Sequence, residues 1–264
     1  EDNGEFVVFG DAKQNIYKRP LDSDGQIRLD FIRGGWNNSL TRSMRFANTQ
    51  LANLAVAFQR EYFPNLSNDN ITAEQTLGFD TCIKYWAINP ATDFQTVSMN
   101  CRWIMQEFNL KTEDVVILSQ YCGTIRNVDY AYRHQESLQT ASTCESKEQY
   151  DELRKKFGID DESQSLDFRF VMDLKNIRRN KRLHFSMDTN LVKSSTIHSF
   201  KGWEAKAVIL VLTPNITTDE SIEDAANVQS EESLIYTAIT RAKEKLFILN
   251  MGNAKFDAFF RNYR

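Results

Sequence analysis

The stretch that decides the fold is "SSTIHSFKGWEAKAVILVL", residues 194 to 212. Its second half, "AVILVL" (207–212), is a short aliphatic run of the kind that forms a strand buried on both faces. Its first half is harder to explain. Thr196, His198, Lys201, Gly202 and Glu204 crowd into nine residues just ahead of that strand. A buried strand needs the apolar run, and it has no use for a polar, partly cationic approach that ends in a glycine and a carboxylate.

Working outward, further strand-like runs rich in β-branched and aromatic residues occur at "FVVFG" (6–10), "CIKYWAI" (82–88), "DVVILS" (114–119) and "KLFILN" (245–250). Helical periodicity fills the gaps. In "NTQLANLAVAFQREYF", Leu51, Leu54, Ala55, Phe58 and Tyr62 share one face, with Asn48 as N-cap. In "DFQTVSMNCRWIMQEF", Val97, Cys101, Ile104 and Phe108 do the same, with Asp93 near the start. Strands alternating with helices of this length predict an α/β domain with a mostly parallel sheet flanked by helices. Between about 121 and 190 the chain becomes polar and charged ("RHQESLQTASTCESKEQYDELRKKFGIDDESQ"), which reads as a helical insertion.

Composition narrows the function. The 264 residues carry 32 Lys plus Arg against 36 Asp plus Glu, a formal net charge of −4. A protein that coats nucleic acid through bulk charge is excluded, whereas a local basic groove is not. No apolar stretch approaches the roughly 20 residues of a membrane span, so no membrane partner is expected and the chain reads as cytoplasmic. Cys82, Cys101, Cys122 and Cys144 are widely spaced, without the close ligand pairs of a metal site. They are expected to be reduced, mostly buried thiols, and no metal residues are assigned.

Four segments carry chemistry. "GDAKQNIY" (10–17) ends a strand in polar groups, where open α/β sheets bind ligands. Taken alone it reads equally well as a polar turn. "LTRSMRFA" (40–47) sets Arg42 and Arg45 ahead of a helix, which by itself is an ordinary solvated charge. The opening stretch supplies "TIHSFKGWE" (196–204), and "IYTAITRAKEKL" (235–246) brings Arg241 to a helix end that leads into a strand.

In this order the four segments resemble motifs III, IV, V and VI of the UvrD/Rep-like superfamily 1 DNA helicases. The resemblance implies a RecA-like, P-loop NTPase-type fold and roles for individual residues. Gln14 would touch the γ-phosphate or the attacking water, and Arg45 and Arg241 would be arginine fingers. Glu204 would accept from the ribose, while Gly202, Met44 and Tyr17 would border the nucleotide. Met44 stands where the family commonly carries an adenine-stacking aromatic. Thr196 and His198 would lie along the single-stranded DNA track. Tyr236 would seat its motif, and Lys201 would be a surface charge. A basic cluster, "KNIRRNKR" (175–182), adds Arg178 and Arg179 as nucleic-acid contacts. The same cluster also reads as one charged face of a solvated helix.

No G-x-x-x-x-G-K-[ST] occurs in the chain. The expectation is therefore a remnant of a first RecA-like domain over 1–25, carrying motif III, and a second RecA-like domain over 26–264 with the insertion at about 121–190. ATP with Mg²⁺ would be bound by the full-length protein and hydrolysed there, not by this chain alone. The implied partners are single-stranded DNA or a duplex junction and an N-terminal RecA-like domain of the same protein. Two rivals remain: a regulatory module with a degenerate nucleotide site, and the motor of a helicase–nuclease machine.

Overall fold

The computed structural model describes residues 49–64, 82–134, 137–159, 167–214 and 231–263, together with the backbone pairing of 42–43 with 72–73. Gln14, Tyr17, Met44, Arg45 and the expected 1–25 remnant lie outside the described residues.

Six strands form one open, all-parallel sheet in the order β3-β8-β7-β4-β6-β5. They are β3 (Ile83–Ala87), β4 (Val115–Ser119), β5 (Thr140–Ser142), β6 (Val192–Thr196), β7 (Ala205–Leu212) and β8 (Ala242–Asn250). A separate short pair joins β1 (Arg42–Ser43) to β2 (Thr72–Ala73), also in parallel. The seven helices among the described residues are α1 (Thr49–Tyr62), α2 (Phe94–Glu107), α3 (Cys122–His134), α4 (Lys147–Phe157), α5 (Phe168–Leu183), α6 (Glu231–Ile239) and α7 (Ala254–Arg261).

Both faces of the sheet are covered, and the two central strands carry unbroken apolar runs, Val115–Leu118 in β4 and Ala207–Leu212 in β7. β7 alternates between two cores. Val208, Leu210 and Leu212 pack with α1, α6 and α7 on one face. Ala207, Ile209 and Val211 pack with α2 and α3 on the other. The face expected for α1 is buried as anticipated, with Leu51, Leu54, Ala55 and Phe58 all inaccessible. Phe58 anchors it, with its ring edge-on to Phe259 at 5.3 Å and 5.8 Å from Phe256. Burying one such side chain contributes about 1.5–3 kcal/mol. Asp93 caps α2 as its position suggested, accepting from the Thr96 N–H at 2.7 Å.

The charged stretch over 121–190 carries α3, β5, α4 and α5. α3 buries Ile125, Val128 and Tyr132, and Val128 and Tyr132 join the core of the second face. β5 extends the sheet from β6. α4 and α5 share a small core of their own around Ile159, Phe170 and Leu174. α4 carries the local signals of a stable helix: a capping box between Ser146 and Gln149, and Gly158 in the left-handed conformation at its end.

Candidate functional site: a connection between the two edges of the sheet

β6 and β7 both pair with β4, which fixes how the segment between them runs. Ser119 of β4 lies opposite Thr196 at the end of β6 and opposite Val211 near the end of β7. Thr196 therefore sits at the carboxyl edge of the sheet. Glu204 precedes Val211 by seven residues and sits at the amino edge, roughly 20 Å away along the strand direction. The connection 197–204 covers that distance in successive tight turns, without a full helix.

Its local chemistry follows from its residues. The Thr196 hydroxyl accepts the Ser199 N–H at 3.2 Å and donates to the Ser199 hydroxyl at 3.0 Å, which starts the first turn. The Phe200 N–H then closes on the Thr196 carbonyl at 3.0 Å. Ile197 and Phe200 are fully buried and pin the turns to the core, leaving His198 and Lys201 half-buried at the surface. Gly202 has φ of +98°, a conformation in which a side chain is strained, and it releases the chain into β7.

At the amino edge the motif-V and motif-VI segments are joined. The Ala205 N–H donates to the Arg241 carbonyl at 3.0 Å. The Arg241 guanidinium, 4% exposed, donates to the Trp203 carbonyl at 3.3 Å, the Thr237 carbonyl at 3.3 Å and the Thr240 hydroxyl at 3.1 Å. These three acceptors orient the fork and none of them carries a charge. Glu204 faces Lys243, with Oε2 3.4 Å from Nζ. Both line a cleft of about 400 Å³ together with Asp114, Asp188 and Lys206. A carboxylate there can accept from hydroxyl groups. Tyr236 is buried under the motif, where its hydroxyl meets the Gln59 amide and holds α6 to α1.

The carboxyl edge carries polar groups that the sequence reading passed over. The Glu231 carboxylate accepts from the Gln120 amide at 2.6 Å and the Asn253 amide at 2.8 Å, and Lys255 stands 3.5 Å away. Asn253 also donates to the Thr213 carbonyl at 3.1 Å. The available signal was the polar residue at or just beyond the end of each aliphatic run (Gln120, Thr213 and Asn250), since the carboxyl ends of parallel strands are where such sheets gather ligands.

The two arginines of the basic cluster part company. Arg178 is 9% exposed and points inward, where Nε and Nη2 grip Glu145 at 2.7 and 3.1 Å. Arg126 donates to the same carboxylate at 2.8 Å and lies over the Tyr150 ring at 3.6 Å. Arg178 is thus held in an internal ion pair, which neither reading of the cluster anticipated, whereas Arg179 is exposed. Among the described residues no group of three His, Cys, Asp or Glu side chains has the arrangement to hold a metal ion, and no helix is long and apolar enough to cross a membrane. The cysteines are free thiols, with Cys82, Cys101 and Cys144 buried.

An open, all-parallel sheet covered on both faces, with polar groups gathered at both edges, is an α/β domain of the RecA-like class. Residues 43–252 match the UvrD-like helicase C-terminal domain, and the chain belongs to that family. It is a helicase motor domain. Among solved structures it is similar to the C-terminal domain of a possible DNA helicase from Lactobacillus plantarum WCFS1, at 11% identity and a TM-score of 0.43 over 80% of this chain and 89% of that one. No curated protein matches the chain.

Proposed function

We propose that the chain is the second RecA-like lobe of an ATP-driven DNA translocase, and that the 197–204 connection couples its two ligands. The observation that carries this reading is the span of that connection. Thr196 and His198 stand at one edge of the sheet and Glu204 at the other, where Arg241 holds the carbonyl of Trp203. Movement of the connection is then felt at both edges.

In this reading Glu204 accepts from the ribose hydroxyls and shares its charge with Lys243, while Gly202 gives the backbone its turn beside the nucleotide. Arg241 and Arg45 supply positive charge to the γ-phosphate when a facing lobe closes, a contribution worth about 10³–10⁵ in rate. Gln14, Tyr17 and Met44 complete the nucleotide surroundings. Thr196 and His198 follow the backbone of single-stranded DNA leading from a duplex junction. The segment 1–25 belongs to the first lobe and 26–264 to the second. Mg²⁺ would need ligands from the facing lobe, as would the phosphates themselves, because the chain contains no phosphate-binding lysine loop. By itself the 264-residue chain does not hydrolyse ATP.

The test is Arg241→Ala in the protein that joins this chain to its phosphate-binding lobe. Turnover at saturating ATP should fall by about 10³ or more, with nucleotide affinity changed far less. Turnover close to that of the unaltered protein removes Arg241 from the mechanism.

A further inference from the structure

α5 presents to solvent a line of side chains that the helicase motifs do not use. Phe168, Met172, Lys175, Arg179 and Arg182 recur every three or four residues, which keeps them on one stripe of the helix. All five are exposed, and Phe168 is 75% exposed. The stripe runs about 21 Å from end to end. Its first part is an aromatic ring and a thioether, and its second part is three cations.

Three features of this stripe bear on what it can bind. Arg179 and Arg182 make no ion pair among the described residues, although acidic residues outnumber basic ones in the chain. Some exposed cations do find carboxylates, as Lys156 does with Asp173 at 2.7 Å and Lys255 with Glu232 at 2.6 Å, whereas Arg60, Lys155 and Arg169 make no ion pair among the described residues either. The helix is also held rigidly from beneath: Phe170 and Leu174 are buried and Arg178 is clamped by Glu145. Finally, the clamp leads to the carboxyl edge. Thr143, two residues before Glu145, bonds the Ser195 hydroxyl at 2.9 Å, next to Thr196.

We infer that the outer stripe of α5 is a second nucleic-acid contact, on which Lys175, Arg179 and Arg182 follow the phosphates of a single strand while Phe168 stacks on an unpaired base. Cations in series match the charge of a phosphodiester backbone, and an exposed ring beside them offers a sequence-tolerant stacking platform. The strand is single because stacking on Phe168 needs an unpaired base. Arg178, the cluster's other arginine, serves as the anchor of the helix and not as a contact. The inference rests on the motor reading above and extends its track by a second surface.

The experiment is fluorescence anisotropy of labelled oligo(dT) with the 264-residue chain across a salt series. The double variant Arg179→Gln/Arg182→Gln should bind about tenfold more weakly at low salt and lose about 1.4 from the slope of log K against log salt. Phe168→Ala should weaken binding roughly fivefold with little change of slope. The thermal midpoint should stay put in both, because all three side chains are exposed. Unchanged affinity and slope in the double variant overturns the inference. So does an effect confined to duplex DNA, and so does a wild-type chain that fails to bind oligo(dT) at low salt. His198→Ala separates the two ideas: if it alone weakens binding, the track of the motor reading stands and the α5 stripe does not.

Discussion

Glu145→Gln exposes how this domain is held together. The Glu145 carboxylate is fully inaccessible and receives three N–H donors: Arg126 at 2.8 Å and Arg178 at 2.7 and 3.1 Å. Both guanidiniums are buried as well, so one negative charge faces two positive ones. Glutamine has nearly the same shape and retains one acceptor oxygen, so the substitution leaves no cavity. What it removes is the charge that makes two buried cations tolerable. Breaking a buried pair in this way costs about 3–5 kcal/mol, because the arginines stay buried and their mutual repulsion is no longer offset. For a chain of this size that corresponds to a fall in Tm of roughly 10 °C. Equilibrium urea unfolding followed by circular dichroism reads the loss directly, with the m value unchanged. Replacing the whole triad, Glu145→Met with Arg126→Leu and Arg178→Met, should recover most of the stability, since no charge is then stranded. A Glu145→Gln variant within about 0.5 kcal/mol of the unaltered chain, the range of an ordinary surface substitution, refutes the reasoning.

Three further outcomes are expected. Gly202→Ala meets no atom within 4 Å and should cost only the backbone strain of its positive φ, about 1–2 kcal/mol by urea unfolding; Gly252→Ala adds a Cβ 2.5 Å from the Pro90 Cγ and should cost distinctly more. Partial burial pushes the Glu148 carboxyl up, but hydrogen bonds from Arg133, Ser146 and His134 outweigh it and bring the pKa down to about 2 from 4.5. The folded value lies below the unfolded one, so Glu148 stabilises the fold fully above pH 4.5 and loses that contribution as pH falls towards 2; acid titration of Glu148→Gln should be flatter across that window. Burial pushes the Cys101 thiol up to about 12 and the Cys82 thiol up to about 11. Both should resist alkylation at pH 8 until the chain is unfolded, and rapid labelling of the native protein would contradict their burial.

Elements whose periodicity agrees with their burial could be read from the sequence. α1 and α2 showed their faces through Leu51, Leu54, Phe58, Val97 and Ile104, and β4, β7 and β8 through unbroken aliphatic runs. β6 could not be read this way. "VKSST" is fully buried yet contains one aliphatic residue, and several of its polar groups find partners within the fold: the Lys193 ammonium reaches the carbonyls of Thr112 and Thr189, and the Ser195 hydroxyl meets Thr143. A single sequence gives no sign of such partners. Arg178 illustrates the same difficulty. It follows Phe170 and Leu174 at helical spacing on the inward row of α5, yet its charge suggests an outward side chain until Glu145, 33 residues earlier, is seen beneath it. For the site, the motif text brought Thr196, His198, Gly202, Glu204 and Arg241 together. That they fall at opposite edges of one sheet depends on the shared pairing of β6 and β7 with β4, which the text alone does not contain.

The measurement that bears most directly on the two-edge account is photocrosslinking of the chain to a single-stranded oligonucleotide carrying 4-thiothymidine, with the attached peptides mapped by mass spectrometry. The account predicts crosslinks within 194–201 at the carboxyl edge and none within 203–206 or 241–245 at the amino edge. Crosslinks concentrated around Glu204 and Lys243 would contradict it, because the nucleic acid would then occupy the edge assigned to the nucleotide.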